Sequence, residues 1–205
     1  ESINMTFTIE KGGAVAVCNT KGGELTSFRH DGIEYVWQGD AKYWSGQAPC
    51  LFPIVCRAKE DRVILDGVSY PMPKHGVARK VEYTPAKVAP DTVVFTLQQS
   101  EDSKKAYPYD FTLEIIHKVT EDGFSTTYRV TNTDTKEMLF CIGGHPGFNC
   151  PLREGECFSD YSICFADAAG AVAHITEPGR GDMDPVSRAL DLIQNNTLPL
   201  RYSDY

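Results

Sequence analysis

Two histidines lie in segments able to hold an imidazole in place. In Gly143-Gly144-His145-Pro146-Gly147-Phe148-Asn149, an apolar run ends in two glycines, then His, then Pro. Glycines let a ligand approach the backbone, and Pro146 biases His145 toward an extended conformation. A histidine fixed at a strand end is a general acid/base candidate, because its ordinary pKa of ~6.5 lies near neutrality. An unreactive loop histidine is the alternative that spacing alone leaves open. The second segment is Pro73-Lys74-His75-Gly76-Val77-Ala78-Arg79. A third runs from Trp37 through Tyr43-Trp44-Ser45-Gly46-Gln47 to Leu51-Phe52-Pro53-Ile54-Val55-Cys56-Arg57 and holds both tryptophans. Aromatic faces pack on the C–H surfaces of sugar rings, and Gln, Asp and Arg bond sugar hydroxyls. A hydrophobic plug under a long loop fits the same residues.

Other chemistries find less support. His117 follows Phe111, Leu113 and Ile115 on the apolar parity, which suits a hydrogen-bonded core or cleft-lining residue; His30 and His174 fall in polar surroundings. Cys141, His145, Cys150 and Cys157 lack the short paired spacing of a zinc site, so no metal is expected. The seven cysteines match no disulfide framework and read as reduced, buried residues. There is no G-x-S-x-G elbow, P-loop or dinucleotide fingerprint. A net charge of −8 opposes a nucleic-acid or anionic membrane partner. No apolar run approaches a membrane span, and Glu1 to Met5 carry no signal-peptide pattern. A cytoplasmic protein with a small, neutral ligand is expected.

The elements that must position these segments are strands. Met5 to Glu10, Phe111 to Ile115 and Phe124 to Val130 alternate with period two, as do Val93, Phe95 and Leu97. Asp31-Gly32, Asp66-Gly67 and Asp122-Gly123 each predict a tight hairpin. Glu137 to Ile142 is apolar on both parities and reads as a strand buried on both faces. Val186, Leu190 and Ile193 predict a short helix within Pro185 to Asn195. With no repeat or linker, residues 1–205 read as one all-β, mostly antiparallel domain.

Taken in order, Trp37-Gln38-Gly39-Asp40, Tyr43-Trp44-Ser45-Gly46, Leu51-Phe52-Pro53-Ile54-Val55, His75-Gly76 with Arg79, and Gly143-Gly144-His145-Pro146 with Phe148 resemble aldose 1-epimerase-like proteins, most closely the LacX-type branch. The resemblance implies a galactose-mutarotase-like β-supersandwich and cofactor-free interconversion of the anomers of an aldohexose. It matches His145 to the family's general acid, and His75 and Arg57 to substrate-binding residues; Trp37, Trp44 and Phe148 are supporting candidates. Relatives often carry Gly where this chain has Cys56, and Arg where it has Gln47. The resemblance also implies that the catalytic Glu, which acts as the base, and a substrate-contacting Asp follow the segment Leu198 to Ser203. The base is therefore expected beyond Tyr205, and the chain is expected to lack a C-terminal portion of the family's fold. A non-catalytic sugar-binding protein or sensor is the alternative. A hexose-phosphate mutarotase ranks lower, because only Arg57 and Arg79 are obvious cations for it.

Overall fold

A computed structural model describes residues 4–176, 183–189 and 193–202. Two compact units divide the chain, Glu1–Phe148 and Asn149–Tyr205. In the first, β1 (Thr6–Lys11), β2 (Ala14–Asn19), β3 (Glu24–His30) and β4 (Ile33–Glu34) form an antiparallel sheet in chain order. The short β5 (Cys50–Leu51) follows, then the hairpin β6 (Arg62–Leu65) and β7 (Val68–Pro71). A second antiparallel sheet, ordered β11-β10-β9-β8, is built from β8 (Thr84–Ala89), β9 (Thr92–Gln98), β10 (Phe111–Thr120) and β11 (Gly123–Asn132). The two-residue β12 (Gly143–Gly144) pairs with β5.

The period-two patterns become the core. Ile9, Ala14, Ala16 and Cys18 from one sheet meet Val93, Phe95, Phe111, Leu113 and Ile115 from the other, all 1% exposed or less. The Phe7 and Phe95 rings meet edge-on at 5.9 Å, and those of Phe28 and Phe124 lie 5.5 Å apart. Asp31-Gly32 and Asp66-Gly67 turn their hairpins as expected, with both residues of each pair at positive φ. At the third hairpin Glu121-Asp122 make the turn, and Gly123 already pairs with Thr120 inside the ladder.

The doubly buried strand expected over Glu137 to Ile142 does not form. Met138 alone is buried, while Leu139 is 69% and Phe140 43% exposed. Among the described residues the segment has no ladder partner: the Leu139 carbonyl accepts from the Tyr107 hydroxyl, and the Cys141 amide donates to Pro53 O. The cysteines also differ from expectation. All seven are free, but Cys141, Cys157 and Cys164 are exposed, and only Cys18 and Cys50 are buried.

In the second unit β13 (Ser162–Cys164) pairs with β16 (Thr197–Pro199), and β14 (Val172–Thr176) with β15 (Met183–Ala189), both antiparallel. The helix expected from Pro185 is thereby corrected. Through Ala189 the chain is a strand, because the ladder from Val172 to Thr176 satisfies its backbone. Residues 190–192, which carry the rest of that expectation, lie outside the described residues.

His117 shows what burial does to a titratable group. It is 3% exposed, with Nε2 2.7 Å from Gly23 O and Nδ1 3.0 Å from Thr126 Oγ1. A carbonyl only accepts, so Nε2 carries the proton and Nδ1 accepts from the threonine hydroxyl. Burial pushes the imidazole down to about 4. The unfolded chain, titrating near ~6.5, therefore takes up this proton first as pH falls. His117 should withdraw roughly 3 kcal/mol of stability as pH drops from about 6.5 to 4. NMR titration of the folded protein should find the ring neutral down to about pH 4; a midpoint near ~6.5 would contradict its enclosure.

Candidate active site

Residues 47–51 and 143–147 run antiparallel. Gly143 pairs with Leu51 and Gly144 with Cys50. The His145 amide donates to Pro49 O at 3.1 Å, and Gly147 to Gln47 O at 2.7 Å. The line continues through the Trp37 amide to Gly147 O, 2.9 Å, and the bridge between Val36 and Phe148. Side chains alternate along such an extended segment. Gly144, Pro146 and Phe148 line an apolar cavity of about 360 Å³ together with Phe28, Val36 and Phe124. His145 lines a separate polar cleft.

Gln47 is a structural clamp. Its amide nitrogen donates to Thr26 O and to Trp37 O, both at 2.7 Å. The Glu24 carboxylate accepts from the Gln47 and Ala48 backbone amides at 2.9 and 2.7 Å. The expected freedom at Gly144 likewise serves the protein: a Cβ there would lie 2.9 Å from the Tyr128 hydroxyl.

His75 is held from two sides. His75 and Cys56 both have φ 67 and bond reciprocally. The His75 amide donates to Cys56 O at 2.8 Å, and the Cys56 amide donates to His75 Nδ1 at 3.1 Å. Left-handed backbone at two non-glycine residues is strained and persists only where its surroundings fix it. The conformation of Cys56 is one that glycine adopts freely. Because Nδ1 accepts, the neutral ring carries its proton on Nε2. Burial, followed by the positive charges of Arg79 and Lys74 and by His145, pushes this imidazole down to about 4. His75 therefore stands at neutral pH as an uncharged donor.

The His75 and His145 rings lie 5.8 Å apart, and Trp44 lies 5.2 Å from His145. With Pro49, Lys74 and Arg79 they line a cleft of about 200 Å³. Two imidazoles at this separation can address neighbouring oxygens of one small ligand, beside an aromatic face. The apolar cavity is larger, but its histidine, His117, has both nitrogens engaged. Among the described residues, none lining the cleft is a carboxylate, and no three His, Cys, Asp or Glu side chains are grouped to hold a metal.

The structure thus brings His75 and His145 together from segments seventy residues apart. Arg57 is not among the cleft-lining residues; its Nε and Nη2 bond the Asp61 carboxylate, each at 2.5 Å. Trp37 supports the loop, its indole N–H donating to Trp44 O at 2.7 Å, whereas Trp44 faces the cleft. Phe148 belongs to the apolar cavity and is 67% exposed. Lys74 was not singled out by sequence reasoning, and Arg79 only as part of a motif. The available signal was that both flank His75-Gly76 within six residues.

Known proteins resemble the chain in sequence and in fold. The family model for aldose 1-epimerase matches residues 5–195. The chain is 35% identical over 206 residues to the LacX proteins, plasmid and chromosomal, of Lactococcus lactis subsp. lactis, covering 97% of this chain and 69% of theirs. A galactose mutarotase-like protein from Lactobacillus casei superposes with a TM-score of 0.87 at 31% identity, over 96% of this chain and 67% of that one. A galactose mutarotase related enzyme from Lactobacillus acidophilus gives 0.86 at 27% identity, over 96% and 65%. The chain is therefore all-β with a galactose-mutarotase-like fold and spans about two thirds of the length of these relatives.

Gly76 tests the frame behind His75. Its φ is 78, and a Cβ would lie 2.1 Å from Phe52 O, the carbonyl that accepts from Val77 N at 2.8 Å. Gly76→Ala should cost at least about 3 kcal/mol in urea unfolding, because backbone must move. Gly67→Ala, at φ 77 in an open turn with nothing within 4 Å, should cost only about 1 kcal/mol. Equal costs at the two positions would contradict the close approach.

Proposed function

We propose that this chain, which belongs to the aldose 1-epimerase family, serves as a mutarotase that interconverts the α and β anomers of an aldohexose by acid/base ring opening and closure. The observation that carries the reading is the pair of histidine rings 5.8 Å apart in a cleft walled by Trp44. His145 donates a proton to the ring oxygen while a base takes the proton of the anomeric hydroxyl. The C1–O5 bond opens, C1–C2 rotates, and the aldehyde is re-attacked on its other face with the roles of acid and base exchanged. His75, neutral with a proton on Nε2, bonds the same region of the sugar without competing for that proton. Trp44 offers a face to the C–H surface of the ring.

The base is a carboxylate, as the family resemblance implies. No cofactor enters the chemistry, the substrate is a small aldose sugar, and we place the protein in the cytoplasm. A second reading, sugar binding without turnover, is favoured by one observation: no carboxylate is among the described residues lining the cleft.

Polarimetry of freshly dissolved α-hexose decides between them. The mutarotase reading expects equilibration faster than in buffer, slowed ~10²–10⁴-fold by His145→Asn, the usual contribution of a positioned acid. A folded His145→Asn protein with an unchanged rate would remove His145 from that role. Sugar-induced shifts of both histidine rings without acceleration would favour the binding protein.

A further inference from the structure

Glu24 is the only carboxylate among the described residues that line a depression of about 490 Å³ beside the histidine cleft, where it stands with Lys21, Arg79 and Lys80. The depression and the cleft share Trp44, Pro49 and Arg79, but Glu24 is not among the residues of the cleft. It reaches backbone instead. One oxygen, Oε1, accepts from the Gln47 amide at 2.9 Å and from the Ala48 amide at 2.7 Å. Successive amides of a pleated, extended chain point to opposite sides. Gln47 and Ala48 lie at a bend, so both N–H groups meet one oxygen. Such bonds to a carboxylate are roughly twice as strong as neutral ones. The carbonyls on either side of Ala48 hold the opposite strip: Gln47 O accepts from the Gly147 amide at 2.7 Å and Pro49 O from the His145 amide at 3.1 Å. Ala48 therefore stands between the two bonds that fix the backbone around His145, and is itself tied to Glu24. Glu24 has a rigid base. It opens β3, opposite Asn19. The carbonyl of Gly23 before it accepts from the buried His117 at 2.7 Å, and Leu25 after it is buried. A Cβ on Gly23 would lie 2.9 Å from Ile115 Cδ1, so this stretch is pressed against the core.

We propose that Glu24 is a positioning residue for His145: its carboxylate holds the Gln47–Ala48 bend, and the carbonyls flanking Ala48 hold the backbone of the general acid. The proposal rests on the mutarotase reading and adds to it a residue that stands outside the cleft. The need for such a hold comes from the exposure of His145. Packing does little to restrain an exposed ring, so its aim is set by the backbone that carries it. A reacting group displaced by about 1 Å can lose ~10² in rate. The other wall of the cleft does not depend on Glu24. His75 is bonded to Cys56, and Gly76 lies against the Phe52 carbonyl. Loosening the bend should therefore lower kcat while the contacts that His75 offers a sugar stay in place. Reach matters here more than charge. An amide oxygen at the same distance accepts the same two bonds, only more weakly.

Two substitutions separate reach from charge. Glu24→Gln keeps the length of the side chain and an acceptor oxygen but removes the charge. Glu24→Asp keeps the charge and draws it back by one methylene. Polarimetry should find kcat lowered at least about tenfold in Glu24→Asp with KM changed by less than about threefold, and Glu24→Gln within about threefold of the parent protein in both. Amide hydrogen exchange followed by NMR should quicken about tenfold at His145 and Gly147 in Glu24→Asp, the weight of one weakened charge-assisted bond, while Ile115 in the core exchanges as before. Glu10→Gln, at an exposed carboxylate of β1, should alter neither reading. A Glu24→Gln protein as slow as Glu24→Asp, or slower, would mean that the charge itself acts in the reaction and would overturn the positioning role. Unchanged exchange at His145 and Gly147 in Glu24→Asp would overturn it as well. If the parent protein does not accelerate mutarotation, the mutarotase reading falls, and exchange at these two amides alone decides whether Glu24 holds the strip.

Discussion

Pro49 and Gln47 give their carbonyl oxygens to the amides of His145 and Gly147, and the geometry of the candidate site depends on that pairing. It presents residues 143–148 as an extended strip whose side chains alternate between two environments. Even positions enter an apolar cavity and His145 enters a polar cleft. The partner strip is itself anchored by Glu24 and by the Gln47 amide, so the site inherits the rigidity of the first sheet through β3. A general acid must be held within a fraction of an ångström of its target to be effective. Here the precision comes from backbone bonds rather than from packing around the imidazole, which is exposed.

The opposite wall is fixed by different means. The Phe52 carbonyl accepts from Val77 N across a glycine that leaves no room for a side chain, and Cys56 and His75 exchange bonds in a left-handed conformation. The same bond that positions His75 also sets its tautomer, and its partial burial beside two cations keeps it neutral. One histidine is thus a fixed, uncharged donor, while the other stands open to solvent. The division of labour follows from the environments, since the two side chains are chemically identical.

The charges near the cleft follow a related logic. Elsewhere, Arg29, Arg57, Lys104 and Arg129 are matched to carboxylates. Around the histidine pair the cations have no acidic partner among the described residues, and Glu24 is turned to structural work.

Sequence alone determined the all-β architecture, because a period of two can bury one face only in strands, and each Asp-Gly pair marked a hairpin. It also picked out His75 and His145, since glycine and proline beside a histidine restrict its backbone locally. Where the alternation was absent, sequence failed. Glu137 to Ile142 is apolar throughout, and whether such a run is a strand depends on a ladder partner that no local pattern reveals. Val186 and the residues after it carried a helical spacing, but the stretch to Ala189 is paired by Val172 to Thr176. Tertiary structure decided the clamp role of Gln47, the seating of Arg57 against Asp61, and the choice of Trp44 over Trp37 as the cleft wall. It also assembled Lys21, Lys74, Arg79 and Lys80 on adjoining surfaces. Lys74, Arg79 and Lys80 stand close together in the sequence, but Lys21 joins them only through the fold, because charge acts through space and leaves no trace of that meeting along the chain.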